Sequence, residues 1–173
     1  MQLVQCTEDR HAASILEIFN HAIVHSTALY DYKPRPFEAM AAWFETKRRN
    51  GFPVIGMEDA QGKLLGFASY GTFRAWPAYK YSVEHSIYIH HESRGMGLGR
   101  RLLTELIDEA KARDVHTMVG AIDLANQASI VLHERLGFQS AGVIKEAAYK
   151  FGNWLDLAFY QKILSTPARP TED

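Results

Sequence analysis

The stretch SRGMGLGRRLL, residues 93–103, sets glycines at 95, 97 and 99 and passes at once into an amphipathic run. Ahead of it lies YSVEHSIYIH (81–90), β-branched and aromatic, which reads as a strand. Behind it lies RRLLTELIDEAKARD (100–114), with Leu102, Leu103, Leu106, Ile107 and Ala110 on one helical stripe. A strand that enters such a helix through a bare turn restricts the chain to an α/β architecture, because the apolar stripe needs a sheet face to cover. The junction also suits an anion. The first helical turn leaves N–H groups unpaired, and the helix dipole adds partial positive charge there. Glycines let the backbone approach a phosphate, and Arg94, Arg100 and Arg101 bring full charges to the rim. Without a ligand, the same stretch would be only a tight turn.

The rest of the chain alternates in the same way. QLVQC (2–6) predicts a strand. A helix follows through AASILEIFNHAIVHS, with Thr7 or Asp9 as its cap and Ile15, Ile18, Phe19, Ala22 and Ile23 on one face. Pro34 and Pro36 break it. FEAMAAWFETKRRN predicts a second helix with Phe37, Met40, Ala41 and Phe44 inward and Gly51 as its stop. PVIGME and LLGFASYGTF predict strands joined by the turn DAQGK. After the glycine helix come the strand HTMVGAID and the helix NQASIVLHERLG. The strands FQSAGVIKEAAYKFG and WLDLAFYQKIL follow, then a polar tail, residues 165–173, expected to be disordered. The expectation is one domain, residues 1–164, with a mixed sheet of about seven strands flanked by about four helices.

The glycine spacing narrows the ligand. A dinucleotide fingerprint, G-x-G-x-x-G, would need glycine at 100 or 102, where Arg100 and Leu102 stand. A P-loop would need a lysine that the stretch lacks. What fits is R-x-x-G-x-G, with Arg94, Gly97 and Gly99. This resembles the acyl-CoA pyrophosphate loop of the GNAT superfamily of N-acyltransferases, where it follows the fourth strand and opens the third helix. NQASIVLHERLGF (126–138) resembles that family's second CoA segment, and YGTFRAW, YSVEHSIYIH and KFGNWLDLAFYQ resemble its phosphinothricin and methionine sulfoximine/sulfone N-acetyltransferase branch. The likeness covers most of residues 2–164. It implies a GNAT-type sheet, acetyl-CoA as co-substrate, a small amino acid as acceptor and a homodimer. It also implies cofactor contacts from Ile87, Tyr88 and Ile89, through backbone N–H groups, and from Arg94, Gly95, Met96, Gly97, Leu98, Gly99, Arg100, Asn126 and Ser129.

Acetyl transfer from a thioester to an amine needs a base for the ammonium, hydrogen-bond donors for the oxyanion and a proton or positive neighbour for the thiolate. Glu84 sits within a half-apolar strand, where a charge is unfavourable unless it has a partner or a task. Alternation groups it with Ser86, Tyr88 and His90. From spacing alone it is a solvated edge residue or a base; the resemblance implies the base. The resemblance also places His85 and Ser86 at the substrate pocket. His133 stands where many GNAT enzymes carry a tyrosine that protonates the thiolate. It could donate that proton, orient a water, or simply bond backbone inside the helix. Arg74, bracketed by Phe73 and Trp76, is either a solvated surface residue or the partner of a substrate carboxylate, which a guanidinium meets with two parallel bonds. Tyr30 could wall the same pocket.

Other classes are disfavoured. A formal net charge of −1 gives no bulk pull toward nucleic acid or a membrane surface. No apolar run approaches a membrane span, and the N-terminus lacks a signal peptide's apolar centre, so a cytoplasmic home is expected. Cys6 is the sole cysteine, so no intramolecular disulfide can form. His21 and His25 have the four-residue spacing of zinc ligands, but Ala22 replaces the glutamate such a motif needs, and no metal is expected. Two rival readings stand: a GNAT enzyme for another amine (a polyamine, an antibiotic or a protein N-terminus), and a non-catalytic acyl-CoA sensor.

Overall fold

The computed structural model describes residues 1–172. Its elements, in chain order, are β1 (Gln2–Gln5), α1 (Glu8–His25), α2 (Ala39–Arg49), β2 (Val54–Glu58), β3 (Leu64–Thr72), β4 (Ser82–Ile89), α3 (Leu98–Ala112), β5 (Thr117–Asp123), α4 (Gln127–Arg135), β6 (Gln139–Lys150) and β7 (Asn153–Ile163). Each expected strand and helix is present. The seven strands form a mixed sheet in the order β1-β2-β3-β4-β5-β7-β6. The β1–β2 and β2–β3 pairs are antiparallel, β4–β5 is parallel, and β5–β7 and β7–β6 are antiparallel. No helix among the described residues is long and apolar enough to cross a membrane.

The chain divides into two units. The first comprises Met1–Ser69 and Ile87–Leu103. Its core gathers Ile15, Ile18 and Phe19 from α1, Met40 and Phe44 from α2, and Phe67 from β3. The Phe19 ring meets Trp43, Phe67 and Tyr88 edge-on, with centroids 5.7, 5.1 and 5.2 Å away. Such edge contacts match the positive rim of one ring to the negative face of another.

Both expected caps of α1 give way to another device. Thr7 occupies the cap position, but its side chain makes no capping bond; it hydrogen-bonds Asp9 instead. The work passes to His11, which is buried. Its Nδ1 accepts the Thr7 N–H at 2.9 Å, and its Nε2 lies 2.9 Å from Glu58 Oε1. That bond, with lesser help from Gln2 and Arg10, holds the buried Glu58 carboxyl below its ordinary pKa despite desolvation. Nearby Cys6 is buried too, and burial, reinforced by the Glu58 charge, pushes its thiol up to about 12.

The inward face of α2 is narrower than expected. Met40 and Phe44 are buried, whereas Phe37 is 58% exposed and Ala41 also faces out. The helix begins only at Ala39, so helical geometry does not direct Phe37. The buried contact is a single i,i+4 row, which Ala41 flanks. Gly51, with φ +66°, stops the helix as expected.

The second unit comprises Tyr70–Ser86 and the chain from Thr104 onward. In it β5 pairs with β4 from Ser82↔Thr117 to His85↔Gly120 and with β7 from Thr117↔Ile163 to Asp123↔Leu157. The chain of α3 passes from the first unit into the second, and its expected stripe is buried: Leu102, Leu103, Leu106, Ile107 and Ala110. Burying each leucine or isoleucine contributes about 1.5–3 kcal/mol. The segment after β7 is tied back at several points. Thr166 Oγ1 donates to the Val115 carbonyl at 2.6 Å, His116 Nδ1 donates to the Thr166 carbonyl at 2.8 Å, and the Thr171 N–H donates to the Tyr81 hydroxyl at 3.0 Å. Asp173, the end of the tail expected to be disordered, lies outside the described residues.

Candidate active site

In the first unit, the glycine loop lies between β4 and α3. His90 closes the strand: its buried ring accepts the Glu92 N–H at 3.3 Å and so caps a short turn, His91–Ser93. Arg94 is then extended, and Gly95 and Gly97 take φ of +79° and +75°. A side chain is strained in that region of φ. The space around them is nevertheless open, for a Cβ at either glycine would meet no atom within 4 Å. The glycines therefore serve backbone direction rather than internal packing. Leu98 is buried and anchors the helix start, while Arg94, Met96 and Arg100 stay exposed at the rim. Exposed amides, a helix start and arginines make an anion cradle.

Beside this loop α1 contributes imidazoles. The His21 ring lies flat on His91, 4.0 Å between centroids, and His25 lies 4.6 Å from His21. Desolvation, then the neighbouring His91, His25 and Arg94, lower the pKa of His21. No group of three or more metal-ligating side chains with suitable geometry occurs among the described residues. Tyr88, Ile87 and Ile89 also belong to this unit. Tyr88 turns its ring to Phe19 and Phe67, so only its backbone could serve a ligand. Gly66 on β3 admits that backbone, since a Cβ there would come within 2.9 Å of the Tyr88 carbonyl oxygen. Tyr30 is half-buried in the coil after α1.

In the second unit, β4 carries the side chains. Val83 and His85 are buried, and Glu84 and Ser86 are half-buried. Burial raises the Glu84 pKa, and the charge of Arg74 opposes that rise. Arg74 itself is exposed. Its guanidinium lies 4.6 Å from the Phe73 ring centroid and donates to the Phe73 carbonyl at 3.0 Å. Trp76 is 73% exposed, just before the short turn Pro77–Tyr79.

His85 and His133 form a contact that neither residue's sequence neighbourhood suggested. Their Nε2 atoms lie 2.9 Å apart, although 48 positions separate them in sequence. His133 Nδ1 lies 2.6 Å from the Ser129 carbonyl oxygen, which can only accept. Both rings are buried, and Phe138 packs against each with centroids 5.1 Å away. Desolvation is the first cause that lowers both pKa values and favours the neutral rings; the adjacent His133 adds to the effect on His85, and the bond to the Ser129 carbonyl opposes it on His133. Gly120 makes room for the pair: a Cβ there would meet His85 Cε1 at 3.0 Å and His133 Nε2 at 3.1 Å. A glycine within a β-branched strand is the sequence sign of such a close approach. Asn126 caps α4, its side chain accepting the Ser129 N–H at 3.2 Å.

A mixed seven-stranded sheet with a glycine loop between β4 and α3 defines the class. Residues 15–138 match the model of the Acetyltransferase (GNAT) family, and the chain belongs to that family. It is an acetyltransferase. Among relatives it is 45% identical over 147 residues to the L-methionine sulfoximine/L-methionine sulfone acetyltransferase of Pseudomonas aeruginosa, covering 85% of this chain and 86% of that one. A solved structure from Acinetobacter baylyi is 60% identical, with a TM-score of 0.98 over 99% of this chain and 96% of its own. A phosphinothricin acetyltransferase from Sinorhizobium meliloti, solved in complex with AcCoA, is 36% identical, with a TM-score of 0.93 over 99% and 93%.

Proposed function

We propose that this enzyme acetylates the α-amino group of a small amino acid of the methionine sulfoximine, methionine sulfone or phosphinothricin kind, with acetyl-CoA as donor. The names of the relatives support that substrate class. The observation that carries the reading on this chain is Glu84, half-buried on β4 and within the field of Arg74. Arg74 holds the substrate carboxylate with two parallel bonds, and Trp76 and Ser86 bound the amino acid. Glu84 takes a proton from the ammonium, directly or through water. Burial raises its affinity for that proton, which makes it a better base than a surface carboxylate. The freed amine attacks the thioester carbonyl; the C–N bond forms, the C–S bond breaks, and CoA leaves as thiolate. Backbone N–H groups of Ile87–Ile89 receive the oxyanion. The amides from Gly95 to Arg100 hold the diphosphate, and Asn126 and Ser129 stand at the second CoA segment.

Turnover across an amine panel at fixed acetyl-CoA tests the reading. The amino acids named should release CoA fastest. Polyamines or peptide N-termini reacting faster would move the enzyme to another substrate class, and no release with any amine would make the chain an acyl-CoA sensor. Arg74 favours a carboxylate-bearing substrate over a polycation. The setting we infer is cytoplasmic, and the purpose is detoxification of amino-acid analogues. The working form is a homodimer. β6 is the sheet's edge strand, and Val143, Ile144, Tyr149, Phe151 and Trp154 are all more than 40% exposed on the β6–β7 hairpin, an apolar surface suited to a second copy. Light scattering should give twice the chain mass; a fully active monomer would refute the dimer.

A further inference from the structure

We propose that His133 is a positioning residue that acts through His85, and that it does not deliver a proton to the leaving thiolate. The proposal rests on the reading of Glu84 as base. Hydrogen-bond logic fixes the protons. The Ser129 carbonyl can only accept, so His133 carries its proton on Nδ1. A neutral imidazole has one N–H, so its Nε2 is bare and accepts. At 2.9 Å, His85 Nε2 is then the donor between the two rings, which leaves His85 Nδ1 bare and buried, with a backbone hydrogen bond to Val119 as the only opposing pull on its proton. The chain of bonds runs one way: from His85 Nε2–H to His133 Nε2, and from His133 Nδ1–H to the Ser129 carbonyl.

Each ring nitrogen of His133 is therefore committed inside the protein. An acid must offer its N–H to the reacting atom. Here the N–H is buried on a helix carbonyl, and the other nitrogen has no proton to give. What the couple does control is β4. His85 is the neighbour of Glu84, and its register partner on β5 is Gly120. Phe138 closes the remaining side of both rings. Through the His85 side chain, α4 and β5 thus hold the strand residue next to Glu84 at one depth, and with it the angle at which Glu84 leaves the strand. A base placed about an ångström wrong loses much of its rate.

The tautomers can be read directly in the wild-type protein. Nitrogen-15 NMR of the imidazoles should show His133 protonated at Nδ1 and His85 at Nε2, from pH 6 to pH 8. A proton on His133 Nε2 would overturn the proposal. In kinetics, His133→Leu strands the His85 donor, and kcat should fall by about tenfold or more while the KM for acetyl-CoA stays within about twofold. His133→Gln can still accept from His85, and should recover at least fivefold of that loss. Gly120→Ala crowds the pair with both histidines intact, and should reproduce the Leu defect. Any basic limb in the wild-type kcat profile should persist in every variant, because His133 gives up no proton in the reaction. If Gln is as damaged as Leu and that limb disappears, His133 is the acid and the proposal fails. If Leu does not fold, the wild-type NMR and the Gly120→Ala kinetics still decide. A wild-type enzyme that ignores amino acids would instead sink the substrate reading, and would leave the tautomers unaffected.

Discussion

The glycine loop and the strand that leads into it are built by opposite means. From Gly95 to Gly97 the structure is all backbone: positive φ, open space and exposed amides. On β4 from Val83 to Ser86 it is all side chain: a half-buried carboxylate, a buried imidazole and a partner ring from α4. Between its rim arginines the loop would bind with groups that every residue possesses, and its glycines answer the need for positive φ. In the proposed mechanism the strand binds and reacts with groups that only certain residues possess, and each must be held by others. Damage to the loop should cost ligand affinity and leave the fold alone. Damage on the strand should cost chemistry and, one residue along, stability.

The largest effect should come from Glu84→Gln. The amide keeps the size but cannot accept a proton, so kcat at pH 7 should drop about 10²–10⁴-fold with acetyl-CoA binding retained. The deficit should narrow as pH rises, because more substrate arrives as free amine. A deficit that ignores pH would make Glu84 an anchor for the ammonium instead. Next comes Gly97→Asp, which adds a strained Cβ and a negative charge beside the diphosphate. CoA affinity should fall roughly 30-fold, about 2 kcal/mol, by calorimetry. The melting temperature should fall only by the few degrees that a Cβ at positive φ costs, roughly 1 kcal/mol, since no atom lies within 4 Å of it. A large loss of stability would mean that the loop is packed after all.

Arg74→Ala should be milder: about a tenfold higher KM for the amino acid, with the KM for acetyl-CoA little changed. It carries a second signature. Arg74 opposes the burial that raises the Glu84 pKa, so its removal should move the acid limb of kcat/KM to higher pH. A limb that stays put would uncouple the two residues. The smallest effect is on folding. His85 and His133 are held neutral by burial, so the folded chain binds fewer protons than the unfolded one below pH 6.5. Stability should be complete above that pH and decline as pH falls, with His85 carrying the larger part. Urea unfolding of wild type and His133→Gln should show the variant declining less steeply. Glu58, whose pKa is lowered, acts in a separate window below its ordinary value.

The same contrast explains what could be read from sequence. Periodicity placed every strand and helix, because Leu102, Leu103, Leu106 and their like repeat at the spacing of the element they belong to. The loop was legible for the reason already given: three glycines are visible as letters. Side-chain devices were harder. The cap of α1 came from His11 rather than Thr7 because Glu58, far along the chain, holds that imidazole in place. Phe37 matched the helical period but precedes the first turn. Glu84, Arg74 and His133 were all singled out, yet the partnership of His133 with His85 was not, since spacing says nothing about residues on separate elements. The one available hint was Gly120, a glycine inside the strand HTMVGAID.

Cys6 has a consequence for an enzyme of this chemistry. Each acetyl transfer releases a free thiol, and pools of CoA thiol and CoA disulfide exchange with any protein thiolate they can reach. With its pKa pushed up to about 12, Cys6 is ionised in only about one molecule in 10⁵ at pH 7, and it is buried as well. Exchange requires the thiolate. The enzyme can therefore work among the products of its own reaction without capture as a mixed disulfide, and its activity should be indifferent to the redox state of the CoA pool.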